Sequence, residues 1–132
     1  MPRSTFLTLA AAIAAAVAAI ALVAPGALLA SKGVAPSAAA EIWIRELGVA
    51  LLAIAIVAFR VRRLGDSAGM RAFLVGNAVL QVGLFPIELA AYRAGVITEL
   101  AGIVPNSIVH VVLAIGFAVH AARVRVAAPA AT

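Results

Sequence analysis

A chain of 132 residues that is 66% hydrophobic and only 11% charged cannot hide its apolar surface inside a water-soluble fold of this size. It has no cysteine, which excludes disulfides, thiolate catalysis and iron–sulfur ligation. Its net charge of +5 comes from basic residues beside hydrophobic segments, a pattern typical of lipid headgroup contacts and not of nucleic-acid binding. We therefore expect an all-α protein, an integral membrane four-helix bundle with residues 1–132 in one domain.

The first predicted span covers residues 6–29. Arg3 followed by a long uncharged run also resembles a signal peptide. The apolar core of a signal peptide is only about 7–15 residues long, whereas about 20 residues cross the hydrocarbon of a bilayer. The length therefore favours a membrane span, which we expect to bend or end at Pro25–Gly26.

The second predicted span, residues 42–61, carries charged residues at both ends. Trp43 fits an aromatic anchor at the membrane interface. Arg45 and Glu46 lie about one helical turn inside the start, where a polar site and an ordinary headgroup contact are both reasonable interpretations. Three arginines close the span: Arg60, Arg62 and Arg63.

The third predicted span, residues 70–92, is the one around which we expect the other spans to pack. Asn77, Gln81 and Glu88 follow one another at spacings of four and seven, so they share one helical stripe. A stripe of this kind avoids lipid and indicates contact with other helices. Pro86 removes one amide donor and predicts a kink.

The fourth predicted span, residues 103–122, carries Asn106 and His110 four residues apart on one face. Asn106 could instead cap the helix. We expect His120 to face the lipid headgroups, because arginines follow it closely. The small-residue tail after this span is expected to fray.

The distribution of basic residues predicts the orientation. With four spans, both termini and the second loop share one side of the membrane. That side carries seven arginines and the other side three basic residues: Arg3, Arg60, Arg62, Arg63, Arg71, Arg123 and Arg125 against Lys32, Arg45 and Arg93. The positive-inside rule then predicts that both termini are cytoplasmic, and we expect a bacterial inner membrane.

This topology brings Glu46, Glu88 and His110 to one level in the outer leaflet. We expect them to line an outward-opening polar cavity, because charged groups in a membrane usually find partners or water. The candidate cavity residues are Arg45, Glu46, Asn77, Gln81, Glu88, Tyr92, Asn106 and His110.

Each of these candidates also has a purely structural interpretation. Glu88 could pair with Arg45 or Arg93 and only fix helix packing. His110 could be a neutral histidine that is hydrogen-bonded to a carbonyl. The side-chain amides of Asn77 and Gln81 could form interhelical hydrogen bonds worth about 0.6 kcal/mol each. We predict no metal site and no catalytic residue, because no motif such as HExxH is present.

One family resemblance accompanies these patterns. The long first segment ends APGALLASKG and the second span starts IRELGVALLAIAI, a layout that resembles the DoxX-like group of small membrane proteins. Many members begin a span with an Arg-x-x-Gly-like sequence, matched here by residues 45–48. The resemblance implies a four-helix bundle, and some relatives have quinone-dependent redox or membrane-complex roles.

Two classes of function follow. The first is a binding or accessory subunit, whose outer cavity holds a lipid-like or quinone-like molecule or which docks to a larger membrane complex or to copies of itself. The alternative is a membrane enzyme or proton-coupled transporter that uses Glu46, Glu88 and His110, since an imidazole titrates near neutral pH. We expect the first, because no catalytic spacing and no inverted repeat is visible.

Overall fold

The computed structural model describes residues 1–126, and these residues form helices without strands. The helices are α1 (Arg3–Val23), α2 (Pro25–Ala30), α3 (Ala38–Val61), α4 (Ala68–Arg93) and α5 (Leu100–Arg123). All except α2 are long and apolar enough to cross a membrane. The predicted all-α class and integral membrane character are confirmed, with each long helix beginning a few residues before its predicted span. The last part of the tail that we expect to fray, residues 127–132, lies outside the described residues.

Pro25 ends the first membrane helix, as predicted. α1 stops at Val23, and the amide of Ala24 still donates to the carbonyl of Ile20 at 2.8 Å. Proline cannot donate a backbone hydrogen bond, but it fits the first turn of a new helix, so α2 starts there. Pro86, by contrast, lies inside the 26 residues of α4, where the predicted kink stays a prediction.

The long helices are arranged as two pairs, α1 with α3 and α4 with α5. α1 also packs against the second pair through a core of large side chains from three helices: Phe6, Leu7, Met70, Leu74, Leu113 and Phe117. The expectation that the other spans pack around the third span is therefore wrong. α1 is the helix that joins the two pairs. Phe6 and Leu7 near its N-terminus enter the core with α4 and α5, whereas Ala18 and Ala21 further along it lie against Gly48 of α3.

The two ends of the bundle are tied by different contacts. At one end, which we call the arginine end, Arg3 donates to Asp66 at 2.5 Å and the backbone amide of Arg125 donates to the same carboxylate at 2.9 Å. These hydrogen bonds, first from Arg125 and then from Arg3, hold the pKa of Asp66 below its usual value. At the opposite end, the lysine end, the carbonyl of Lys32 accepts from the amide of Thr98 at 3.1 Å.

Candidate functional site

A continuous set of polar contacts runs into the α4–α5 interface from the lysine end. It joins five side chains, which we call the polar chain: Lys32, Glu88, Asn106, His110 and Gln81. Glu88 is at its centre, because its Oε1 atom accepts from the ammonium of Lys32 and from Nδ2 of Asn106, the latter at 2.7 Å. A charged carboxylate within a membrane span is thereby paired with one cation and one amide.

Helical spacing explains why these residues meet. Gln81 and Glu88 are seven residues apart on α4, and Asn106 and His110 are four apart on α5, so each pair lies on one face of its helix. The two helices are packed neighbours that run in opposite directions. Glu88 therefore meets Asn106 near the lysine end, and Gln81 meets His110 deeper in the span.

The contacts of His110 fix its tautomer. Nδ2 of Asn106 lies 3.0 Å from Nε2 of the imidazole, and Oε1 of Gln81 lies 2.6 Å from its Nδ1. An amide nitrogen can only donate and an amide oxygen can only accept. Nε2 must accordingly accept and Nδ1 must donate, which describes a neutral imidazole that carries its proton on Nδ1.

The second carboxylate oxygen of Glu88 has no such partner. Oε2 is buried and accepts no hydrogen bond from residues 1–126, and Nε2 of His110 lies 3.9 Å from it. A buried acceptor without a donor costs about 1–3 kcal/mol, and more when it is charged. The side chain is only 13% exposed, so the free oxygen lies inside the helix interface.

Lys32 was not among the predicted site residues. Its turn is held against α5: Gly33 has a φ of 70°, which favours glycine, and the hydroxyl of Thr98 donates to the carbonyl of Gly33 at 3.2 Å. Gly102 lets the turn approach, because a Cβ atom there would overlap the carbonyl oxygen of Ser31. Two signals in the sequence were available, since Lys32 is the only lysine of the chain and a glycine follows it.

Four of the eight predicted cavity residues do not join the polar chain. Arg45 is exposed and pairs with Glu41 at 3.4 Å, and Glu46 is exposed. Asn77 is buried, but its amide donates to the carbonyl of Phe73 on its own helix at 2.9 Å. Tyr92 is half-buried at the end of α4.

Three expectations are corrected by these placements. Glu46 does not meet Glu88, because α3 packs on α1 and not on the α4–α5 pair. The cation that pairs with Glu88 is Lys32, and neither Arg45 nor Arg93. His120, expected among headgroups, is buried with its ring centroid 4.9 Å from that of Phe6.

The polar chain extends about half-way through the membrane span. Gln81 and His110 lie about 18 and 15 Å along their helix axes from the lysine end, against a hydrocarbon thickness of about 30 Å. Beyond them, towards the arginine end, the interface is closed by the buried side chains of Leu74, Leu113 and Phe117. The polar chain therefore reaches the lysine end of the bundle and is separated from the arginine end by apolar side chains.

Comparison with known proteins gives no assignment: no family model, no curated protein and no solved structure matches the chain. Within residues 1–126, no three His, Asp or Glu side chains are grouped so that they could share a metal ion.

Proposed function

We propose that the protein is a membrane binding or accessory protein whose polar chain holds the hydrogen-bonding headgroup of a quinone-like or lipid-like molecule. The observation that carries this proposal is the buried Oε2 of Glu88, which accepts no hydrogen bond from the described residues 1–126. A hydroxyl donor on a ligand would satisfy that oxygen and remove the cost of leaving it free.

The surroundings of Glu88 favour a quinol or hydroxyl-bearing lipid as this ligand. The carboxylate accepts, while Lys32 and Asn106 donate, so both kinds of group are present within one small region. An amphiphile with an apolar tail would leave the tail among the exposed apolar side chains of α4 and α5, which include Phe85, Ile87 and Ile108. Such a ligand would reach the site from the membrane and not from water.

We propose the orientation predicted above, with the arginine end in the cytoplasm. The excess of arginines at that end supports it. The lysine end and the polar chain would then face the outside of a bacterial inner membrane. Reporter fusions after Arg125 and within residues 31–37 test this: an active cytoplasmic reporter is expected at the first position only.

Binding is tested with decylubiquinol, titrated into the protein in lipid nanodiscs. We expect saturable binding that weakens about ten- to a hundredfold in Glu88→Gln, since one charged hydrogen bond is worth about 1.5–3 kcal/mol. Glu46→Gln is the matched control, because it removes an exposed glutamate near the same end of the bundle. The dimethyl ether of the quinol lacks the donor and should bind as weakly to the wild type as the quinol does to Glu88→Gln.

The second arm uses 1,2-dioctanoylglycerol, which offers a single hydroxyl on a lipid backbone. Stronger binding of this probe than of the quinol would identify a lipid-like ligand, and the reverse a quinone-like one. If neither probe binds saturably, or if both glutamate variants lose affinity equally, the proposal is contradicted.

A proton-coupled role is the second candidate, and the 3.9 Å between Nε2 of His110 and Oε2 of Glu88 favours it. A protonated imidazole would have two donors, so Nε2 would turn from Asn106 to the free carboxylate oxygen. The apolar closure by Leu74 and Phe117 argues against proton passage across the whole bundle. Proteoliposomes with an internal pH dye test it: proton flux above that of protein-free vesicles, lost in His110→Ala, would support this candidate.

A further inference from the structure

A second feature lies at the arginine end, on the opposite side of the membrane from the free oxygen of Glu88. α1 and α3 leave a groove of about 350 Å³ between them, a volume within the range of about 300–1,000 Å³ typical of ligand pockets. The groove is lined by Thr8, Ala11 and Ala12 on the α1 side and by Ala55, Phe59 and Arg60, among others, on the α3 side. It follows α3 for about 12 Å, from Leu52 to Arg60.

The walls of this α1–α3 groove are apolar. Its one hydroxyl, on Thr8, already donates to the carbonyl of Ser4 at 2.8 Å. Ala11 and Ala55 are almost completely buried at the base, so the groove exists because alanine side chains leave the space between the helices unfilled. A groove of this shape accepts a flexible hydrocarbon chain.

A cation stands at the mouth of the groove. Arg60 is exposed and pairs with no carboxylate in the part of the chain that the structure describes. Arg62, by contrast, is held by contacts with the last turn of α3. Its guanidinium lies 3.5 Å from the ring centroid of Phe59 and donates to the carbonyl of the same residue. The nearby acid, Asp66, is taken up by Arg3.

We propose that this groove is a binding site for an anionic glycerophospholipid, with one acyl chain along α1 and α3 and the phosphate on Arg60. Charge complementarity selects this occupant. The arginine end carries seven arginines, which attract an anionic lipid. A zwitterionic lipid has no net charge and is not attracted in this way. A second copy of the chain seated symmetrically in the groove would bring its own Arg60 to the same level, where the two cations repel.

The proposal is tested by native mass spectrometry of the full chain, released from nanodiscs that contain equal amounts of phosphatidylglycerol and phosphatidylcholine. We expect the wild type to retain phosphatidylglycerol preferentially. Arg60→Gln should reduce that preference about fivefold, the ratio that corresponds to about 1 kcal/mol per basic residue near an anionic surface. Arg63→Gln is the matched control, because Arg63 is an exposed arginine at the same end that does not line the groove.

A second variant tests the apolar part of the site. Ala12 is exposed within the groove, so Ala12→Leu fills it without disturbing the buried core, and it should reduce retention of phosphatidylglycerol. The same change at Ala118, exposed on α5, should have no effect. Equal losses in Arg60→Gln and Arg63→Gln would show only diffuse attraction to arginines and overturn the proposal. Chemical cross-linking tests whether a second copy of the chain occupies the groove instead. If the wild type gives a cross-linked dimer that Ala12→Leu abolishes while phosphatidylglycerol is still retained, the proposal is also overturned.

Discussion

The two helix pairs are held together by different means. α4 and α5 share hydrogen bonds between Gln81, Glu88, Asn106 and His110, whereas α1 and α3 share close backbone approach. Gly48 marks that approach, because a Cβ atom there would lie 3.0 Å from the side chain of Leu22. Lipid offers no hydrophobic drive for helices to associate, so each pair depends on either polar contacts or tight packing. The α4–α5 pair therefore holds hydrogen-bonding groups inside the span, whereas the α1–α3 pair leaves an apolar groove along part of its length.

The largest effect is expected from breaking the ion pair of the polar interface. Glu88→Leu leaves Lys32 without its partner, and we expect a loss of about 2–3 kcal/mol in the free energy of unfolding. This is below the ~3–5 kcal/mol of a fully buried pair, because Lys32 is still 21% exposed. Steric trapping in bicelles measures the loss.

A second substitution separates pairing from other roles of Glu88. Adding Lys32→Met should recover most of the stability, with a coupling energy of about 0.5–3 kcal/mol between the two positions. Adding Arg45→Leu instead should recover none, because Arg45 pairs with Glu41. Rescue by Arg45→Leu would mean that the observed pairing of Glu88 is wrong.

The α1–α3 interface should be destabilised by steric overlap and not by the loss of a polar partner. Gly48→Leu inserts a side chain where Leu22, Ala21 and the backbone of Ala18 leave no room, and we expect a loss of about 1–3 kcal/mol. Gly76→Leu is the control, since a Cβ atom at Gly76 meets nothing within 4 Å. Similar unfolding free energies for the two variants would contradict the close α1–α3 contact.

A smaller effect is expected from the turn that presents Lys32. Gly102→Ala places a methyl group against the carbonyl of Ser31 and should push the turn away from α5. We expect weaker decylubiquinol binding with the helices intact, because Lys32 would no longer reach Glu88. Far-UV circular dichroism provides the folding control, and unchanged binding would show that the position of Lys32 does not matter.

The smallest effect concerns the ion pair at the arginine end. The folded-state pKa of Asp66 is lowered by Arg125 and Arg3, so its contribution to stability is complete above the unfolded pKa of about 3.9 and is lost as the pH falls through the folded value. The stability difference between wild type and Asp66→Asn should therefore be constant near neutral pH and shrink below about pH 4. A difference that grows on acidification would contradict this assignment.

The sequence predicted the parts of this architecture that depend on local pattern. Hydrophobic length placed the four spans, the proline at position 25 placed the break, and helical spacing placed Gln81 and Glu88 on one face. It could not predict which helices pair, because all four spans are similarly apolar and the choice depends on fit between surfaces. That choice excluded Glu46 from the polar chain and brought in Lys32 from a loop.

The most direct test of the central claim is ¹⁵N NMR of histidine-labelled protein in bilayers, which observes the two histidines of the chain separately. The polar chain predicts a neutral His110 that carries its proton on Nδ1 and loses this preference in Gln81→Leu. Decylubiquinol should shift the signals of His110 and leave those of His120, at the arginine end, unchanged. An Nε2-protonated His110 that is insensitive to Gln81→Leu and to the quinol would contradict the account.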